Sequence, residues 1–115
     1  IMNNRQAKLP NITFTDTLSI KMGEISFHMI WFGKAHSESD ILIHVPELKL
    51  LFTGDLFSKY GRPSMDDLKE IDPARLDMVH EWTIARMDDI RIIIGGHGQI
   101  LSKEDLLSFC QKIQQ

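Results

Sequence analysis

Two apolar runs, Ile41–Val45 and Leu48–Phe52, are separated by only Pro46 and Glu47. A connection that short cannot carry a crossover between parallel strands, so the two runs are expected to pair antiparallel as a hairpin. Everything else must assemble around that ribbon. Upstream, Ile12–Ile20 alternates apolar and polar residues with many β-branched members, a strand signal broken by a turn near Asp16. Lys21-Met-Gly-Glu24 reads as a tight turn, with Gly23 free to take positive φ. Residues 25–32 alternate less cleanly and suggest a strand covered on both faces.

The second half changes character. Asp72-Pro73 is a helix start, with Asp as N-cap and Pro at the first helical position. Leu76, Val79, Ile84 and Met87 then form a helical stripe that ends at Asp88 or Asp89. Ile90–Ile94 is a short apolar strand, Gly95–Gly98 a turn, and Ser102 with Asp105 a capping-box start for a last helix reaching Ile113. Four or five strands, a helix, a strand and a helix predict an α+β fold: one domain over 1–115, with a mainly antiparallel sheet and helices on one face.

Several functions are disfavoured by bulk properties. A formal net charge of −3 without a basic cluster offers nothing to nucleic acid or to an anionic membrane surface. No stretch approaches the roughly 20 apolar residues that span a bilayer. The single cysteine, Cys110, excludes an intrachain disulfide and reads as a small buried hydrophobe, and a cytoplasmic location is expected. The first ten residues carry no signal-peptide core, and because the chain opens on Ile1 rather than Met, an upstream start is expected.

Three residues stand out as carriers of chemistry. His36 follows the second strand in Gly33-Lys-Ala-His-Ser-Glu-Ser-Asp40; Asp55 ends the hairpin in Phe52-Thr-Gly-Asp-Leu-Phe57; His97 ends the late strand in Ile94-Gly-Gly-His-Gly98. Strand ends of one sheet share an edge, so two imidazoles and a carboxylate can converge there as a partial shell for Zn²⁺ or another first-row metal. Spacing alone leaves a plainer reading open, in which Gly-Asp and Gly-His-Gly serve only as turns.

The order of these segments resembles the later motifs of the metallo-β-lactamase superfamily: a histidine after a Gly-containing loop, an aspartate after Phe-Thr-Gly, and a histidine in a Pro-Gly-His-Gly-like turn. Gly95 stands where many members have proline. The resemblance runs from about Ile25 to Ile113 and implies half of an αββα sandwich. It assigns His36 to a first metal, Asp55 to a bridge between two metals, and His97 to the second. The remaining ligands of the family come from an earlier His-X-His-X-Asp-His motif, which this sequence lacks. The chain therefore looks like a carboxyl-terminal half only.

The resemblance implies hydrolysis of a small-molecule ester, thioester, amide or phosphoester, with two zinc ions in the complete protein and iron or manganese as alternatives. Asp55 is its catalytic carboxylate, and Asp40 and Glu38 are candidate outer partners of the ligands. Lys59, Tyr60 and Arg62 follow Asp55 in a loop, and Lys59 and Tyr60 are the candidate substrate contacts. Alone, the 115-residue chain is expected to be inactive and to hold metal weakly or not at all. The rival reading is a non-catalytic half-domain for dimerisation or docking; a purely structural domain with incidental motifs is a third. One sheet face, carrying Ile41, Ile43 and Val45 or their alternates, is expected to lack cover from this chain. It therefore calls for the missing amino-terminal half or for self-association. Of the other histidines, His28 is read as a strand filler, His44 takes no role, and His80 is a helix-surface or packing residue with a lid or substrate role as alternative. Trp31, Phe52 and Phe57 are assigned to the core.

Overall fold

The computed structural model describes residues 7–35, 39–57, 72–98 and 100–113, without the side chains of 109–113. His36, Glu38, Lys59, Tyr60 and Arg62 lie outside these residues, as does the Cys110 side chain. Six strands form one sheet in sequence order: β1 (Thr17–Met22), β2 (Ile25–Trp31), β3 (Ile41–Val45), β4 (Leu50–Gly54), β5 (Ile92–Gly95) and β6 (Ile100–Leu101). Every neighbouring pair is antiparallel except β4 and β5, which run parallel across the crossover that contains α1 (Pro73–Ala85). Helix α2 (Lys103–Ile113) follows β6.

Local chemistry explains the elements. The β1–β2 hairpin turns on Gly23 at φ +63, with Met22 paired to Ile25. Asp16 takes φ +67, and its carbonyl accepts from the Trp31 N–H at 2.8 Å, so the first strand begins at Thr17 and not at Ile12. The central hairpin is antiparallel as expected, but its connection is longer than two residues. Pro46–Leu48 form a 3₁₀ turn, and Lys49 is left-handed at φ +50. Leu48 consequently belongs to the turn and is half exposed, and β4 starts at Leu50. The Glu47 carboxylate accepts from the Ser26 N–H, tying this turn to β2 and holding the carboxyl below its usual range.

Helix α1 opens as its sequence dictates, with the Asp72 carboxylate accepting from the Ala74 N–H at 3.0 Å. It ends at Ala85, before a separate 3₁₀ turn over Met87–Asp89. The face it buries is Leu76, Val79, His80 and Thr83, whereas Ile84 is 45 % exposed. An apolar stripe was therefore a poor guide, because two buried positions are polar residues. The Thr83 hydroxyl escapes the usual penalty by donating to the Val79 carbonyl at 2.8 Å. The start of α2 carries the reciprocal capping box: the Ser102 N–H donates to the Asp105 carboxylate, and the Asp105 N–H donates to the Ser102 hydroxyl, both at 3.0 Å.

The two faces of the sheet differ. Leu42, Leu51, Ile93 and Leu101 point to the helices and, with Leu76, Val79, Ile90 and Leu106, form a core from which water is excluded. The register places Leu18, Ile20, Phe27, Met29, Trp31, Ile41, Ile43, Phe52 and Ile94 on the opposite face. All nine are only half-buried, and Ile92 and Ile100 on the same side are more exposed still. Trp31 and Phe52 are thus face residues, whereas Phe57 is buried. Strand β2, expected to be covered on both faces, keeps solvent contact along its whole length. Val45 departs from its neighbours and is completely buried.

Two outcomes follow from this packing. Leu51→Ala deletes a fully buried side chain at the sheet centre and should lower the unfolding free energy by about 2–5 kcal/mol, read from urea midpoints. His80 is also fully buried, and burial pushes its pKa down despite the opposing charge of Asp77. The unfolded chain, with His near its ordinary value of about 6.5, then binds the proton first as pH falls. Stability should decline below about pH 6.5, and His80→Phe should remove that component of the pH dependence in thermal melts at several pH values.

Candidate metal-binding edge

The parallel pairing of β4 with β5 brings two distant chain segments to one sheet edge. Beyond Phe52 the ladder shifts, and Gly54 pairs with Gly95. The Gly54 carbonyl accepts from the Gly96 N–H at 2.8 Å, so the two backbones nearly touch. Fully buried Thr53 reinforces the contact, its hydroxyl within 3.3 Å of its own strand's Gly54 carbonyl and 3.4 Å of the Ile94 carbonyl on β5. Gly54 is left-handed at φ +54, and the Leu56 N–H donates to the Thr53 carbonyl at 3.1 Å. That turn projects Asp55 from the edge while Leu56 and Phe57 return to the core. On the other side, the Gly98 N–H closes onto the Gly95 carbonyl at 3.1 Å and presents His97.

The result is a pair. His97 Nε2 lies 3.1 Å from Asp55 Oδ1, with the side chains 77 % and 43 % exposed, so both remain open to an incoming group. At that distance the imidazole N–H can donate a hydrogen bond to the carboxylate oxygen. The same separation suits two ligands of one ion, because Zn–N and Zn–O bonds of about 2.0–2.2 Å place neighbouring ligands roughly 3 Å apart. A carboxylate and an imidazole are also the donor types that borderline divalent metals accept. Among the described residues, no group of three or more His, Cys, Asp or Glu side chains gathers as a complete metal shell. His36 lies outside those residues, as do Lys59 and Tyr60, so no position is given to them at this edge. The loop leading to His36 is held in place as far as Ala35, which is buried, with Arg75 of α1 packed over Gly33.

Asp40 belongs to the same neighbourhood. Its Oδ1 lies 3.3 Å from the point where a Cβ on Gly54 would stand, next to the residue that carries Asp55 into its turn. Sequence proximity to His36 had suggested Asp40 as an outer partner; its position beside Gly54 comes from the β3–β4 pairing. Gly96 is the residue the sequence did not single out. A Cβ there would meet Asp55 Oδ1 at 2.6 Å and the Gly54 carbonyl carbon at 2.9 Å. The available signal was the Gly-Gly pair before His97, which read only as a turn.

Gly96→Ala should therefore force apart the β4 and β5 ends and move the Asp55 carboxylate. The expected outcome is a loss of stability of about 1–3 kcal/mol, together with shifted amide resonances at Gly54, Asp55 and His97.

The sequence profile of the metallo-β-lactamase superfamily matches residues 4–97. Compared with curated proteins by sequence, the chain matches none. Among solved structures it is similar to a metallo-β-lactamase from Pontibacter korlensis, with TM-score 0.72 and 16 % identity over 98 % of this chain and 53 % of that one. It is similar to the DIM-1 metallo-β-lactamase, with TM-score 0.66 and 18 % identity over 86 % of this chain and 45 % of that one. A double mutant of the sec-alkyl sulfatase PisA1 aligns with TM-score 0.68 and 14 % identity, covering 92 % of this chain and 18 % of the other. The chain thus spans about half of the first two and less of the third, and at these identities the likeness concerns the fold. With most of its length matched by the superfamily profile and its sheet and helices superposing on those structures, this chain belongs to the metallo-β-lactamase superfamily.

Proposed function

We propose that this chain supplies one half of a metal-dependent hydrolase, with Asp55 and His97 as metal ligands and His36 as a third. The observation that carries the reading is the approach of His97 Nε2 to Asp55 Oδ1 within 3.1 Å at an open sheet edge. Family membership supports a hydrolase. A bound divalent cation there would supply Lewis acidity, lowering the pKa of water and polarising a carbonyl or phosphoryl oxygen. The role of this chain's own residues is to hold and orient. Asp55 contributes negative charge on a turn fixed by Thr53 and Gly54, so it spends little ordering energy on binding a cation. His97 must be neutral to offer a lone pair, which makes loading less favourable in acid. Asp40 lies beside this turn and is placed to bias the orientation of the Asp55 carboxylate. Zinc fits this donor set, with iron and manganese as alternatives.

The substrate class proposed is a small ester, thioester, amide or phosphoester, with Lys59 and Tyr60 as the contacts to it. The remaining metal ligands would come from the amino-terminal half of a complete fold, so the 115-residue chain alone is expected to be inactive. Half-buried Ile41, Ile43, Phe52 and their neighbours support that arrangement, since an apolar sheet face of this extent favours burial against a second sheet. The same face supports a second reading, in which the chain is a non-catalytic half-domain that pairs with a copy of itself. A cytoplasmic location forms part of the proposal; among the described residues, no helix is long and apolar enough to cross a membrane.

Zinc titration of the purified chain, alone and with any companion segment that copurifies, tests the assignment. Asp55→Asn and His97→Ala should each weaken zinc binding by at least about tenfold, with circular dichroism unchanged. Native mass spectrometry distinguishes the two readings: a second polypeptide with metal supports the hydrolase half, and a metal-free self-pair supports the docking module. Wild-type affinity in both variants would remove Asp55 and His97 from the metal site.

A further inference from the structure

A concavity of about 350 Å³ opens on the helix side of the sheet, between the β1–β2–β3 strands and the end of α1. It shares no lining residue with the Asp55–His97 edge. The polar and aromatic part of its wall is Thr17, Ser19, His28, His44, Trp82 and Arg86, with no carboxylate among the described lining residues. In a chain of net charge −3, a groove lined by a guanidinium, two imidazoles and two hydroxyls runs against the average of the surface.

The donors are held in place. The Arg86 guanidinium lies over the Trp82 ring at 4.3 Å, and its Nη1 donates to the Trp82 carbonyl at 3.2 Å, which fixes the fork on its own helix. Among the described residues, no carboxylate forms an ion pair with it. Trp82 is itself clamped edge-on by His44 at 5.6 Å and Phe32 at 6.3 Å. His44 is fixed in turn through Nε2, which donates to the Asp89 carbonyl at 3.0 Å. Across the groove, Ser19 Oγ and His28 Nδ1 are 2.7 Å apart; with the hydroxyl donating, the proton of His28 resides on Nε2 as a further donor.

The geometry points to a binding site for a small organic anion, a carboxylate or phosphate ester with a flat apolar body. The anionic group meets Arg86 and the Ser19–His28 pair, and the body lies against Trp82. A pocket of this size matches the lower range of small-molecule sites, and a planar guanidinium that is already oriented suits the two oxygens of a carboxylate or phosphate.

The test is a titration of the full chain with benzoate and with phenyl phosphate, followed through its two indole N–H resonances. Inorganic phosphate and uncharged benzamide serve as comparisons. The Trp82 signal should shift saturably with both organic anions, while that of Trp31, on the opposite sheet face, stays in place. Arg86→Gln should weaken binding by at least about tenfold and Arg86→Lys by less, because the charge is kept but the fork is lost. His97→Ala should bind as the parent does. A Trp82 shift that does not saturate by about 10 mM, or equal binding of benzamide, overturns the proposal. So does unchanged affinity in a folded Arg86→Gln variant, or loss of binding in His97→Ala. Saturation by inorganic phosphate as tight as that by phenyl phosphate would overturn the part assigned to the apolar body.

Discussion

The near-contact of the β4 and β5 backbones underlies the candidate chemistry. Parallel strands joined by a crossover expose their carboxyl ends on the same edge, and here those ends are Gly54-Asp55 and Gly95-Gly96-His97. The Gly96 N–H bonds the Gly54 carbonyl at 2.8 Å, and only a residue without Cβ leaves room for the Asp55 carboxylate. The fold therefore does not need a long side chain to reach across. Two short polar side chains meet because the main chains that carry them have been drawn together.

The sheet is a divided object. Its helix face closes over Leu42, Leu51, Ile93 and Leu101 with the buried side of α1, giving a core that this chain completes by itself. Its other face presents isoleucine, phenylalanine, methionine and tryptophan that are only half-buried. The hydrophobic effect scales with the area withdrawn from water, so the second face contributes less to the stability of this chain than the first. This asymmetry accords with a chain that spans about half of the metallo-β-lactamase structures it resembles.

Much of the architecture was legible because it rests on local rules. The Asp72-Pro73 helix start and the Ser102/Asp105 capping box appear as read, since a cap is satisfied by side chains within a few residues of it. The Gly23 turn and the central hairpin do too. The misreadings share a cause. Ile12–Phe14 alternate like a strand yet pair with no strand among the described residues, Leu48 was taken by a 3₁₀ turn, and the two-residue strand β6 is too short to leave a pattern. On α1, Ile84 looked like core and is exposed, while polar His80 and Thr83 are buried. In each case a tertiary neighbour, not the residue's own preference, decided the outcome.

By itself the sequence determined the kinds of element, the antiparallel hairpins, and the identity and order of the residues with ligand chemistry, because these depend on side-chain type and short-range spacing. Only the tertiary structure decided that β5 lies parallel beside β4, that Gly96 must be glycine for Asp55 to fit, and that Asp40 stands next to Gly54. It also decided which apolar residues are core and which form an open face. Those outcomes depend on which strand becomes the neighbour of which, and strand pairing between distant segments is settled by burial summed over the whole sheet, a quantity no short stretch of chain contains.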